Sequence, residues 1–259
     1  MTERSETAEP EAVLRVAEPG PYDLIGDVHG CHEELVLLLT QLGHHVGGTP
    51  QAPTFTAAEG RRVVFVGDLV DRGPANPAVL RLAMEMVRGG GGLCVKGNHD
   101  HKLARKLAGR DVTIAFGLAE SLEQLEAEPP EFLEEVRAFL HGLPYQILLD
   151  DERLVVSHAG LRESLHGVDS KRSRALCLFG ETTGEKDERG YPVRKDWAAE
   201  YSGEASVVYG HTPIEDALWR NGTMNLDTGC VFGGALTALR YPEGEVVRVD
   251  AVRVHYVGM

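Results

Sequence analysis

Three short apolar runs, YDLI (22–25), VVFV (63–66) and LCV (93–95), alternate with two segments of helical periodicity in the first hundred residues. CHEELVLLLTQLG (31–43) has apolar residues at helical spacing and a glycine stop, and NPAVLRLAMEMVRGG (76–90) has Pro77 at a first helical position. A β-α-β-α-β order of this kind calls for a parallel sheet with crossover helices. The third strand is expected over LCVKGNHD, residues 93–100. Residues 101–141 read as helical, with LAESLEQLEA and EFLEEVRAFL parted by Pro129 and Pro130. YQILLD and RLVVSHAG then read as a hairpin, and 161–205 as loop and short helix. Four further strands follow in ASVVYGHT, TMNLDTG, ALTALRY and EVVRVDAV. The expected fold is α/β, a layered sandwich of two mixed β-sheets flanked by helices. One domain is expected over 21–259, with a helical insertion at about 101–141 and a flexible acidic arm over 1–20.

A chain of 259 residues, 42% of them hydrophobic, can bury a core of that size. Its net charge of −14 opposes stable binding to duplex nucleic acid, which needs many phosphate contacts. No stretch approaches the roughly 20 apolar residues of a membrane span. The polar start MTERSETAEPEAV lacks the pattern of a signal peptide, so a cytoplasmic location is expected. Cys31, Cys94, Cys177 and Cys230 form no CxxC pair and read as reduced thiols.

Five of the expected strands share an oddity at their C-terminal ends. Each is followed by a small residue and then by a side chain able to bind metal: Asp27 and His29 in GDVHG, Asp68 in GDLVDRG, Asn98 and His99 in GNHD, His158 in SHAG, His211 in GHT. Ligands of α/β sheets sit beyond the carboxyl ends of the strands. A lone Asp or His in such a place is ordinarily a turn former or a surface residue. Five such ends together point to one site. Carboxylate, amide and imidazole donors without thiolate suit manganese, iron, nickel or zinc. Two ions about 3.5–4 Å apart can clamp a phosphoryl group and turn a bridging water into a hydroxide nucleophile.

In this order, GDVHG, GDLVDRG, GNHD, HAG and GHT resemble the calcineurin-like metallophosphoesterases, and more narrowly their phosphoprotein-phosphatase branch. Asp100 stands where the eukaryotic protein phosphatases have GNHE, and SHAG where they have HGG. CLFGETTGEKDERGYPV and NLDTGCVFGGALTALRYP resemble the phosphatase module of the bacterial polynucleotide kinase-phosphatase and its stand-alone relatives, variously described as protein phosphatases or diadenosine tetraphosphate hydrolases. The resemblance implies two divalent ions, with Mn2+ expected and Fe, Ni or Zn as alternatives. Asp27 and His29 would hold the first ion and Asp68 would bridge both. Asn98, His158 and His211 would hold the second, with Asn98 also reaching substrate phosphate. His99 would protonate the leaving oxygen, oriented by Asp71, and Arg72 would bind phosphate. Asp227, in NLDTG, would support the site, or else simply form a turn. Physical chemistry independently favours the His99–Asp71 pair, since a carboxylate beside an imidazole fixes its tautomer. The Arg72 fork likewise matches phosphate geometry.

The implied activity is hydrolysis of phosphomonoesters, extending to 2′,3′-cyclic nucleotides or RNA ends. The alternatives are a serine/threonine protein phosphatase and a diadenosine tetraphosphate hydrolase. A non-catalytic binding module is disfavoured, because no ligand position is lost. The phosphorylated partner is thus a nucleotide, an RNA end or a phosphoprotein. Two basic clusters, Lys102/Arg105/Lys106 with Arg110 and Lys171/Arg172/Arg174, read equally as a rim for an anionic substrate or as solvated faces. Arg162 reads as a surface or structural arginine before a phosphate ligand. Tyr191, Trp197 and Tyr201 read as packing residues before base-stacking ones. Cys230 reads as a buried thiol before an oxidation sensor.

Overall fold

A computed structural model describes residues 11–188, 190 and 192–258. Two five-stranded mixed sheets face each other. The first runs in the order β14 (Glu245–Asp250), β13 (Ala235–Tyr241), β2 (Tyr22–Ile25), β5 (Arg62–Phe65), β6 (Gly92–Cys94), with β2, β5 and β6 parallel. The second runs β1 (Val13–Val16), β7 (Gln146–Leu149), β8 (Leu154–Ser157), β11 (Ser206–Tyr209), β12 (Thr223–Asn225), with β8, β11 and β12 parallel.

Strand alternation explains the layers. Tyr22 and Leu24 of β2 face the second sheet and pack with Val64, Val156, Val208 and Met224, all buried. Ile25, Val63 and Phe65 face the other way, onto helices α1 (His32–Gln41), α2 (Asn76–Arg88), α4 (Leu118–Glu126) and α5 (Pro130–Gly142). The outer face of the second sheet is covered by Tyr201, with Trp197 against it. Fully burying a Leu or Val contributes about 1.5–3 kcal/mol, so the inter-sheet layer fixes the two sets of strand ends relative to each other.

Several expectations change. Residues Val13–Val16 form β1, in parallel register with β7, so the arm expected over 1–20 gives way to a strand. Residues 1–10 of that arm lie outside the described residues. The strand expected over 93–100 is only Gly92–Cys94, and GNHD opens α3 (Asn98–Leu107) instead. The cause is local: Asp100 at the third helical position accepts the Gly97 N–H at 3.0 Å, a helix-start contact. A hairpin, β3 (His45–Thr49) with β4 (Ala52–Thr56), stands beside α2. The polar stretch 161–205 contains α6 (Lys171–Phe179) and a small two-stranded sheet, β9 (Thr182–Lys186) with β10 (Pro192–Arg194).

Candidate active site at the strand ends

The parallel strands of both sheets end at one place. β2 delivers Asp27 and His29, β5 Asp68, β8 His158, β11 His211 and β12 Asp227, while the start of α3 delivers Asn98 and His99. His29, Asp68 and His99 offer ligand atoms within 4.8 Å of one another, and so do Asp68, His158 and His211. Asp68 belongs to both groups. The structure therefore gathers the residues that the sequence singled out at five separate strand ends.

Hydrogen bonds fix which atom each ring presents. His29 Nδ1 donates to the Val70 carbonyl at 2.7 Å and His158 Nδ1 to the Val66 carbonyl at 3.0 Å. Both Nε2 atoms are thereby turned inward. His158 Nε2 lies 2.9 Å from Asn98 Oδ1, 3.1 Å from His211 Nδ1 and 3.3 Å from Asp68 Oδ2. Asp68 Oδ1 accepts the His99 N–H at 2.9 Å, and Asp27 accepts the His211 N–H at 3.1 Å.

Close packing makes room for these groups. A Cβ on Gly210 would lie 1.9 Å from Asp27 Oδ1, and one on Gly97 would lie 2.1 Å from Asp68 Oδ1. His29, Asp68, Asp71, Arg72 and His211 all have positive φ, between 44° and 77°. Left-handed backbone at a residue with a side chain costs about 1–3 kcal/mol and concentrates at functional sites.

The second half of the site holds His99. Its Nδ1 is 2.6 Å from Asp71 Oδ2, and its Nε2 is 3.0 Å from an Arg72 nitrogen. Arg72 also reaches His29 Nε2 at 2.7 Å and lies over the Phe232 ring, 5.2 Å from its centroid. Ser121 was not singled out from the sequence, and Asp100 was noted there only as a departure from GNHE. Ser121 Oγ donates to Asp71 Oδ1 at 2.5 Å and accepts the Asp71 N–H at 3.1 Å. A signal existed, because Ser121 sits on the buried face of α4 with Leu118 and Leu125. Asp100 accepts the N–H groups of Leu69 and Gly97, each at 3.0 Å, and so ties the Asp68 loop to α3.

The electrostatics are those of crowded buried carboxylates. Burial and the neighbouring Asp227 push Asp27 well above the usual carboxylate range. Asp227 is pushed up to about 6 and Asp100 to about 7, each chiefly by burial and then by Asp68. Burial works against a charged His158, but Asp68 and Asp27 outweigh it and raise the imidazole to about 9. Burial holds His29 and His211 well below the usual imidazole value. His211 Nε2 is buried without a hydrogen-bond partner. The imidazoles of His29 and His211, which burial keeps neutral, an orphaned ring nitrogen and clustered carboxylates form a donor set that fits divalent cations.

Other sequence candidates stand outside this cluster of ligand atoms. Arg162 pairs with Glu181, a structural role. Tyr201 is buried, donating to the Ala205 carbonyl at 2.7 Å, and Trp197 packs on it. Tyr191 lies outside the described residues. Cys230 is buried against Cys31, whose thiol is pushed up by its hydrogen bond to Cys230 and by burial.

The profile of the calcineurin-like phosphoesterases matches residues 20–248. This chain belongs to the calcineurin-like phosphoesterase family. It is a hydrolase acting on phosphoester bonds. The phosphoesterase is 42% identical over 235 residues to the bis(5′-nucleosyl)-tetraphosphatase PrpE [asymmetrical] of Anoxybacillus flavithermus, covering 89% of this chain and 94% of that protein. To the protein of the same name from a Geobacillus species it is 43% identical over 234 residues, covering 88% and 94%. The crystal structure of a candidate diadenosine tetraphosphatase superposes with a TM-score of 0.67 at 26% identity, covering 93% of this chain and 98% of that one. A yeast serine/threonine phosphatase shares the fold, with a TM-score of 0.62 at 14% identity over 95% and 85% of the two chains. Among the described residues no helix is long and apolar enough to cross a membrane.

Proposed function

We propose that this phosphoesterase hydrolyses bis(5′-nucleosyl) tetraphosphates asymmetrically, to a nucleoside monophosphate and a nucleoside triphosphate. The observation that carries this reading is 42–43% identity, over 88–89% of the chain, to relatives bearing that name. Of the substrates the sequence leaves open, these relatives favour diadenosine tetraphosphate over simple phosphomonoesters.

Asp27 and His29 would hold one divalent ion, Asp68 both, and Asn98, His158 and His211 the other, with Mn2+ as the expected ion. When bound, such ions supply Lewis acidity and make water acidic enough to attack phosphorus at neutral pH. Asp227 adds negative charge behind Asp27, which favours cations there. Arg72 offers two parallel donors to the phosphoryl oxygens and meets the charge that develops on them. His99 would give a proton from Nε2 to the leaving oxygen once Arg72, whose N–H points at Nε2 in the structure, turns to the phosphoryl oxygens, while Asp71 accepts the hydrogen bond of Nδ1–H and fixes the ring's orientation. Ser121 in turn holds Asp71. The attacking water releases one proton to solvent, and as its oxygen bonds to phosphorus, the bond from phosphorus to the bridging oxygen breaks. His99 then regains a proton from solvent.

The test compares kcat/KM for diadenosine tetraphosphate, an RNA 2′-phosphate and a phosphopeptide with Mn2+, and resolves the nucleotide products. Diadenosine tetraphosphate should lead, giving AMP and ATP in equal amounts. Two molecules of ADP, or a preference for the phosphopeptide, would contradict the proposal.

A further inference from the structure

We infer that α3 forms a subsite for the long arm of the substrate, in which Lys102 and Arg105 hold the phosphates beyond the attacked one. This rests on the dinucleoside tetraphosphate reading above.

Asymmetrical cleavage divides the substrate unequally. One nucleoside leaves with the attacked phosphate, while the other carries three anionic phosphates away from it. A cavity of about 710 Å³ starts at Asp68, Asn98, His99 and His211 and runs along α3. Asn98, Lys102 and Arg105 are spaced four and three residues apart, so one helix face carries the site and the two cations in line. Among the described residues neither cation is paired with a carboxylate, and both line this cavity. Lys106 and the cluster Lys171, Arg172 and Arg174 do not line it.

Lys102 is held at the cavity wall. Its Nζ donates to the Ala115 carbonyl at 2.9 Å and lies 5.5 Å from the centroid of the Phe116 ring. It feels the charges of Asp71 and Arg72, which places it within electrostatic reach of the reacting centre.

A second cavity of about 550 Å³ lies on the other side and shares Arg194, His211 and Thr212 with the first. Its other cations are already paired: Arg220 with Asp196 at 2.9 Å and Lys195 with Glu200 at 3.0 Å. It offers three phosphates little net charge. It suits the short arm, with Trp197 and Trp219 among its walls. The long arm belongs along α3.

The test uses the full-length enzyme with Mn2+, on diadenosine tetraphosphate and on p-nitrophenyl phosphate, which has no long arm. The double variant Lys102→Ala/Arg105→Ala should lower the ratio of the two kcat/KM values by about tenfold or more, the size of a lost charge-assisted contact. Inhibition by inorganic tripolyphosphate should weaken in the double variant. A wild-type enzyme that prefers p-nitrophenyl phosphate would overturn the substrate reading and the subsite together. A wild-type preference for the dinucleotide that survives in the double variant, or a double variant that loses both substrates equally, would overturn the subsite alone.

Discussion

His99 Nδ1 stands 2.6 Å from Asp71 Oδ2, and both side chains are buried at the end of the Asp68 loop. This pair leaves His99 Nε2 as the ring atom that faces Arg72 and the open cavity. A proton donor held there matters most when the leaving oxygen is strongly basic. His99→Ala should therefore lose far more rate on an alkyl phosphate than on p-nitrophenyl phosphate or a dinucleoside tetraphosphate. Steady-state kcat on the three substrates checks this. Equal losses would remove His99 from the role of acid.

Ser121 acts on this chemistry through Asp71, as a positioning residue. Removing its hydroxyl takes away a hydrogen bond to a buried carboxylate, a loss of about tenfold in kcat with KM nearly unchanged. The loss in Ser121→Ala should show the same leaving-group bias as His99→Ala, and Ser121→Thr should restore it. A purely structural Ser121 would lower activity on all substrates alike.

The pH dependence of stability has a clear contributor away from the site. Burial pushes the Asp23 carboxyl up, but hydrogen bonds from His44 and Arg61 outweigh it and hold the group below its usual 3.8. A lowered folded-state pKa gives stability that is present above the unfolded value and lost as pH falls through the folded one. Asp23→Asn leaves Arg61 with Glu243 at 2.8 Å but without its buried partner. It should cost about 3 kcal/mol at neutral pH, with the gap closing below about pH 4. Urea unfolding of both proteins at several pH values measures this. A gap that widens in acid would contradict it.

The proposed ligands were legible because each is written locally, as a small residue and a polar side chain just past an apolar run. Asp27, Asp68, His158 and His211 needed no knowledge of the fold to be noticed. What joins distant parts of the chain was not legible. Ser121 reaches Asp71 across 50 positions, and Asp23 meets Arg61 across 38. β1 pairs with β7, more than a hundred residues later, so VLRV carries no local sign of its partner. The misread end of β6 has a different cause. GNHD follows an apolar run and looks like strand, yet the Asp100 contact to Gly97 N–H starts a helix there. Lys102 and Arg105 were visible as charges. Only the fold shows that they line the cavity and that Lys171, Arg172 and Arg174 do not.

Asp68 is common to both groups of ligand atoms, so it tests the two-ion reading most directly. The measurement is metal content by mass spectrometry beside kcat/KM on diadenosine tetraphosphate, for wild type and Asp68→Asn. The variant keeps the size and the backbone of the residue, and Asn tolerates its φ of 51°. Wild type should carry two divalent ions per chain. Asp68→Asn should lose at least one of them and more than the roughly hundredfold in activity that removing a ligand's hydrogen-bond partner costs. A variant that retains both ions and near wild-type turnover would contradict the two-ion site.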